Sequence, residues 1–169
     1  YFRTDQGIGA STNLGVDTFD ICNGMAAVQV FDIDMTADLR TAWIATMSGV
    51  FRATNFNDRP GWSSAMMPFG NGAPYKAVAV DRADPTGHRA YAGNSWLYKT
   101  ADGGATWEAL RAACTNFPNQ VGVTALEANS NIVAAGTYEY FSASPNGQVL
   151  VSTDAGSNWT EVALGMGAN

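Results

Sequence analysis

Histidine is almost missing from the 169 residues: His88 is the only one. With a single imidazole there is no second histidine for a zinc site, and a Ser-His-Asp triad would have to use His88, with no nucleophile elbow anywhere in the chain. Cysteine is scarce too, with Cys22 and Cys114 alone. They carry no framework pattern. Either they form one disulfide closing a loop of about 90 residues, worth roughly 4–5 kcal/mol if unstrained, or they are two small buried thiols. Charged residues are only 14%. No apolar run reaches the ~18 residues that span a bilayer, so membrane insertion is not expected. Nine Lys and Arg against 15 Asp and Glu leave a net charge of −6. That balance has no electrostatic footprint for nucleic acid or anionic lipid. No phosphate-cradling glycine loop occurs, and neither cofactor nor metal is expected.

What is abundant is hydrophobic residues, at 46%, and glycine, with 18 copies. The first excludes a disordered chain. The second, with many Asn, Thr and Ser, points to a turn-rich β protein. Low charge with abundant Asn, Gly, Thr and Trp is common among secreted β proteins, so an extracellular or periplasmic location is expected. The chain opens at Tyr1 without Met, basic segment or apolar leader core. A signal peptide is expected to have been removed or to lie outside the sequence.

Two segments repeat each other. Leu97 to Trp107 reads LYKTADGGATW, and Val149 to Trp159 reads VLVSTDAGSNW. Aspartate falls on aspartate, and tryptophan on tryptophan, at a separation of 52. A degraded copy runs from Val50 to Trp62, and a partial one reads Tyr1-Phe2-Arg3-Thr4-Asp5-Gln6-Gly7. Before each of the three longer copies stand two further short runs, beginning with Val28 to Ile33, Ala77 to Val80 and Val121 to Leu126. After each comes a fourth: Ser63 to Met67, Trp107 to Leu110 and Trp159 to Leu164. The runs are β-branched or aromatic and bounded by turn residues, so they read as strands. Four strands per ~50 residues is the pattern of a β-propeller blade. The expected architecture is all-β, a single propeller segment over 1–169. Its four-stranded antiparallel blades are placed at 1–24 (partial), 25–70, 71–118 and 119–169. About three and a half blades fall short of a closed ring of about four to eight, so further blades, from the same or another polypeptide, are expected partners.

Thr100, Asp102, Gly104, Thr106 and Trp107 in one copy, and Ser152, Asp154, Gly156, Asn158 and Trp159 in the other, match Ser/Thr-x-Asp-x-Gly-x-Thr/Asn-Trp. The chain thereby resembles the Asp-box, or BNR-repeat, β-propellers: sialidases, xyloglucan-cleaving glycoside hydrolases, sortilin-type receptors and photosystem assembly factors. The resemblance implies a structural box at the outer rim, on the hairpin between third and fourth strands. There the short carboxylate accepts its own turn's N–H groups, glycine supplies a positive φ and tryptophan covers the gap between blades. Asn158-Trp159-Thr160 is also a glycosylation sequon, which the box by itself accounts for.

In such propellers, hydrolysis takes place at the face where first strands begin. The carboxylates expected there are Asp17, Asp20, Asp32 and Glu139. Of the seven arginines only Arg111 lies near that face, which argues against a sialidase. An inverting glycosidase needs two carboxylates about 6.5–9.5 Å apart, and half a ring supplies one at most. The long loop at 137–147 carries Tyr138, Glu139, Tyr140 and Phe141, and Trp96 lies on a neighbouring turn. Aromatic faces stack on sugars and anchor protein contacts. These five are the candidate binding residues. The function expected is a non-catalytic recognition or assembly module for carbohydrate or protein; the alternative is a segment of a propeller glycoside hydrolase, closer to a xyloglucanase than to a sialidase.

Overall fold

The computed structural model describes residues 1–4, 7–22, 29–58, 60–65, 67–68, 73–110, 121–139 and 147–162. The strands among them form four antiparallel sheets. The first has β1 (Phe2–Thr4), β2 (Gly7–Ala10) and β3 (Phe19–Asp20). The second has β4 (Val30–Met35), β5 (Ala42–Thr46), β6 (Gly49–Ala53) and β7 (Trp62–Ala65). The third has β8 (Ala77–Val80), β9 (Ala90–Gly93), β10 (Leu97–Thr100) and β11 (Glu108–Ala109). The fourth has β12 (Val121–Asn129), β13 (Ile132–Glu139), β14 (Gly147–Ser152) and β15 (Thr160–Val162). Every strand pairs with its neighbour in sequence, so each sheet is an up-and-down blade, and β4, β8 and β12 lie side by side. The chain is an arc of a β-propeller.

The core is the space between consecutive sheets. β5, β8 and β9 are buried along their whole length because both faces are covered. Alanine dominates them, which lets sheets approach closely, and a few aromatics fill the remaining gaps. Trp62 packs back on Ile8, Ala10 and Ile21 of the first sheet, and its Nε1 donates to the Ile21 carbonyl at 2.8 Å. Trp107 meets the ring of Trp43 edge-on at 5.7 Å. Trp159 joins Tyr91 and Leu97 of the third sheet. Each tryptophan that ends a repeat thus closes a seam with the sheet before it.

The structure corrects one repeat. Tyr1 to Gly7 is not a copy of the turn. β1 and β2 are the second and third strands of their blade, because the turn that follows β2 has the box geometry. Its residues are Ser11, Asn13, Gly15 and Asp17, so the hydroxyl that opens the box is Ser11, seven residues after Thr4, where the repeat set it. Counted this way, the first sheet has three of the four blade strands among the described residues.

Candidate functional site

The matched motifs fold into one hydrogen-bonded turn, built twice. Thr100 donates its hydroxyl to Asp102 Oδ1 at 2.9 Å and accepts from the Gly104 N–H at 2.9 Å. Asp102 accepts the N–H and hydroxyl of Thr106. In the second copy Ser152 donates to Asp154 and accepts from Gly156, both at 2.8 Å, and Asp154 accepts the backbone and side-chain N–H groups of Asn158, both at 2.7 Å. Gly104 and Gly156 have φ of +91° and +94°. A Cβ there would come within 2.9 Å of Trp43 and 2.5 Å of Leu110. Both backbone angle and neighbours therefore require glycine. The hydrogen bonds, led by Thr106 and Asn158, hold the carboxyls of Asp102 and Asp154 down to about 2. Nothing in this turn is set up to exchange a proton near neutral pH.

Of the carboxylates expected near the catalytic face, Asp17 lies instead in the box-type turn after β2, at the opposite end of its strand, held by a side-chain amide, while Asp20 and Asp32 are occupied by backbone N–H groups. Asp17 accepts from Asn13 Nδ2 at 2.7 Å. Asp20 accepts the Cys22 N–H at 2.9 Å. Asp32 accepts the Ile33 N–H and, across the seam, the Val78 N–H at 3.0 Å. Asp34 repeats this one step along, accepting from Met35 and from Val80 at 2.9 Å. Burial pushes the Asp34 carboxyl upward, while those N–H donors pull it back. In the third sheet buried Asp81 binds the Ala83 and Ser130 N–H groups and pairs with Arg89 at 2.7 Å. The inner strands of successive blades share no continuous ladder, so aspartates of one strand satisfy N–H groups of the next that would otherwise be buried without partners. The side chain of Glu139 lies outside the described residues.

Of the five candidate binding residues, Trp96 and Tyr138 are described, whereas Tyr140 and Phe141 fall outside. Trp96 sits on the β9–β10 turn, which closes on itself: Asn94 Oδ1 accepts the Trp96 N–H at 2.7 Å, and the Asn94 N–H donates to the Trp96 carbonyl at 2.9 Å. The Asn94 carbonyl accepts the Val123 N–H at 2.7 Å, tying the turn to β12. Trp96 is 36% exposed on this fixed base. Tyr138 lies at the same end of the molecule, since Val123 pairs with Thr137 beside it. Alternation along β13, however, puts Tyr138 on the face turned away from the third sheet. The two aromatics share an end and not a face.

Sequence reasoning missed two neighbours at that end. Met47 occupies the β5–β6 turn as an exposed apolar side chain, the counterpart in the second sheet of Trp96. Lys76 places its ammonium 3.3 Å from the centre of the Phe31 ring, a cation–π contact across the second seam. The repeat spacing points to Met47, because consecutive β-turns of one type fall at one end of the arc. Lys76 on Phe31 has no sequence signal, since the residues are 45 apart. Below them the rings of Tyr75 and Tyr98 are buried, 5.9 Å apart, and burial raises both phenols.

Cys22 Sγ accepts the Ile8 N–H at 3.1 Å as a free thiol, raised by burial. Its candidate partner Cys114 lies outside the described residues. Among the described residues no helix is long and apolar enough to cross a membrane, and no group of three or more His, Cys, Asp or Glu could hold a metal ion.

No protein-family model matches the chain, and neither does any curated protein. Solved structures do match in fold. The GH74 enzyme of Niastella koreensis aligns with a TM-score of 0.60 at 14% identity, over 96% of this chain and 40% of that one. YCF48 bound to D1 peptide aligns with a TM-score of 0.53 at 12% identity, over 78% of this chain and 38% of that one. The chain thus spans about two fifths of the length of these structures, and what it has in common with them is the propeller fold.

Proposed function

We propose that this chain is an arc of an extracytoplasmic Asp-box propeller that serves as a non-catalytic recognition or assembly module. It binds a carbohydrate or a protein at the end of the arc that carries Trp96 and is completed by further blades. The observation that carries the reading is Trp96 itself: a tryptophan over a third exposed, on a turn locked by Asn94 and by β12. A large, rigid aromatic loses little entropy on binding and stacks on sugar rings or packs against a peptide. Met47 and the Lys76–Phe31 pair extend that surface toward the second sheet. The described carboxylates at this end are committed to backbone N–H groups, which favours recognition over hydrolysis.

A propeller glycoside hydrolase segment is the second reading. Its support is the fold match to a GH74 enzyme along nearly the whole chain. The fold match to YCF48 bound to D1 peptide supports the first reading.

Binding of the 169-residue chain to xyloglucan oligosaccharides and to an arrayed peptide library separates these readings. Trp96→Ala is expected to weaken binding at least tenfold without lowering the melting temperature. Binding unchanged by Trp96→Ala overturns the site. Release of reducing ends from xyloglucan overturns the non-catalytic reading.

A further inference from the structure

The chain that enters β8 runs between the β5–β6 turn and the β9–β10 turn and is bonded to both sides. The Tyr75 N–H donates to the Thr46 carbonyl at 2.9 Å, and the Lys76 N–H donates to the Gly93 carbonyl at 2.8 Å. Hydrogen-bonded backbones lie about 5 Å apart, so residues 75 and 76 set the two turns roughly 10 Å from each other. Met47 on one turn is 44% exposed, and Trp96 on the other carries the recognition surface. Below them Tyr75 is fully buried, which anchors the stretch in the seam. Both turns belong to the two inner sheets of the arc, each flanked by a sheet on either side.

Lys76 stands between these two apolar side chains. Its ammonium lies 3.3 Å from the centre of the Phe31 ring, on β4. A ring face attracts a cation without neutralising it, so the full positive charge remains. No carboxylate shares that charge. The ion pairs among the described residues join Arg40 to Asp38, Arg82 to Glu127 and Arg89 to Asp81. Asp32, at the same end of β4, is turned to the Val78 N–H. Asp38 and Asp102 lie on turns at the opposite end of the strands. Four residues of strand separate the ends by about 13 Å, more than the ~8–10 Å over which salt screens a charge. In a chain of net charge −6, this end of the middle seam presents one unpaired cation between two apolar groups.

We propose that this end binds a protein segment that carries a carboxylate between two apolar side chains. The carboxylate pairs with Lys76, and the apolar groups pack on Trp96 and Met47. The proposal rests on the recognition reading given above and names its partner. Roughly 10 Å is the reach of about three residues of extended chain, which sets the length of the recognised core. Charge selects an anionic ligand, and Met47 selects a protein. Tryptophan and methionine are enriched where proteins meet, and a thioether adapts to apolar side chains of varied shape. A neutral sugar has no charge to pair with Lys76, and an acidic sugar leaves Met47 without an apolar partner. Holding the lysine on Phe31 removes rotamer freedom that a free lysine would lose on binding. The carboxylate belongs to an Asp or Glu side chain or to a C-terminus, and the test separates the two.

The 169-residue chain is applied to an array of random heptapeptides, one set amidated and one ending in a free carboxylate, and the binders are remeasured by fluorescence polarisation. Binders are expected to carry a carboxylate flanked by apolar residues. Enrichment of Asp or Glu in the amidated set assigns a side chain, and binders confined to the other set assign a C-terminus. Replacing that carboxylate by an amide should weaken binding about tenfold or more, the worth of a charge-assisted hydrogen bond. Lys76→Met keeps the apolar stem and should show the same loss toward the acidic peptide, with none toward its amide counterpart. Lys76→Arg should keep the acidic preference. The melting temperature of Lys76→Met should fall by no more than about 4 °C, the loss of one cation–π contact. The absence of any bound peptide, binders without an acidic preference, or a preference that survives Lys76→Met overturns the proposal. An oligosaccharide bound instead, and lost with Trp96→Ala, leaves the recognition reading standing and removes only this partner. Ligands indifferent to both Trp96→Ala and Lys76→Met remove the site itself.

Discussion

The turns at residues 11–17 and 152–158 close with the same hydrogen bonds and carry their negative charge on different residues. In the fourth sheet Asp154 accepts and Asn158 donates its amide at 2.7 Å. In the first sheet Asn13 takes the aspartate's place, accepting from Ser11 at 3.0 Å and from the Asp17 N–H at 2.8 Å. Its own amide then donates to Asp17 at 2.7 Å. Gly15 and Gly156 have φ of +90° and +94°. What the turn requires is a short Asx acceptor, a partner of complementary donor character four residues on, and a glycine between. The aspartate in the motif is one solution. The turns differ in what they touch: Gly156 lies against Leu110 of the third sheet, and Gly15 faces open space.

The largest expected effect breaks the packed side of this comparison. Trp43 is fully buried against the third sheet's turn, with Nε1 bonded to the Gly87 carbonyl at 3.0 Å. Trp43→Ala is expected to cost about 3–5 kcal/mol in urea denaturation. A loss under about 1 kcal/mol would mean that the seam is not a principal source of stability.

The glycines separate strain from contact. Gly156→Ala meets both an unfavourable φ and Leu110, and is expected to destabilise by about 2–3 kcal/mol. Gly15→Ala meets the φ alone, at about 1 kcal/mol. Equal losses at the two positions would show that packing at Leu110 contributes nothing.

Acid should weaken the aspartate turns. Asp102 and Asp154 are held at about 2, below the ordinary carboxylate value near 4. Their contribution is fully present above pH ~4 and is lost as pH falls through ~2. Asp34 acts in the opposite sense: with its pKa raised, its ionisation works against the fold as pH rises through that value. The double variant Asp102→Asn, Asp154→Asn should flatten the decline in melting temperature between pH 4 and 2. An unchanged slope would assign acid unfolding to other groups.

The smallest expected effect tests the exchange itself. Asp154→Asn with Asn158→Asp converts the fourth-sheet turn into the arrangement of the first. The melting temperature at pH 7 should move by no more than a degree or two, whereas Asn13→Asp alone sets two carboxylates against each other and should lower it further. A large drop for the exchanged pair would show that the turns are not equivalent.

The repeat of short β-forming runs, read from the sequence, placed twelve strands of three sheets within a few residues, because alternation and turn residues act locally. The matched boxes were legible for the same reason: their bonds span four residues. The first turn escaped because Asn13 and Asp17 invert the chemistry that the motif names. The degraded repeat after Val50 does lack the turn's network, since Ala53 stands where Thr100 and Ser152 supply the hydroxyl. At the candidate site, Trp96 was legible as an aromatic on a turn. The side of the fourth sheet on which Tyr138 falls was not, because it depends on register with β12 and β14.

The sequence by itself determined the blade pattern, the two aspartate turns and the glycines within them, since each is fixed by bonds a few residues long. Only the tertiary structure decided the rest. Asp32 and Asp34 cap N–H groups 46 residues away, which makes the candidate carboxylate Asp32, and Asp34 beside it, seam contacts. The ammonium of Lys76 and the ring of Phe31 meet across 45 residues of chain. Such pairings depend on how sheets stack, and stacking is set by the summed burial of many side chains rather than by any short stretch of chain.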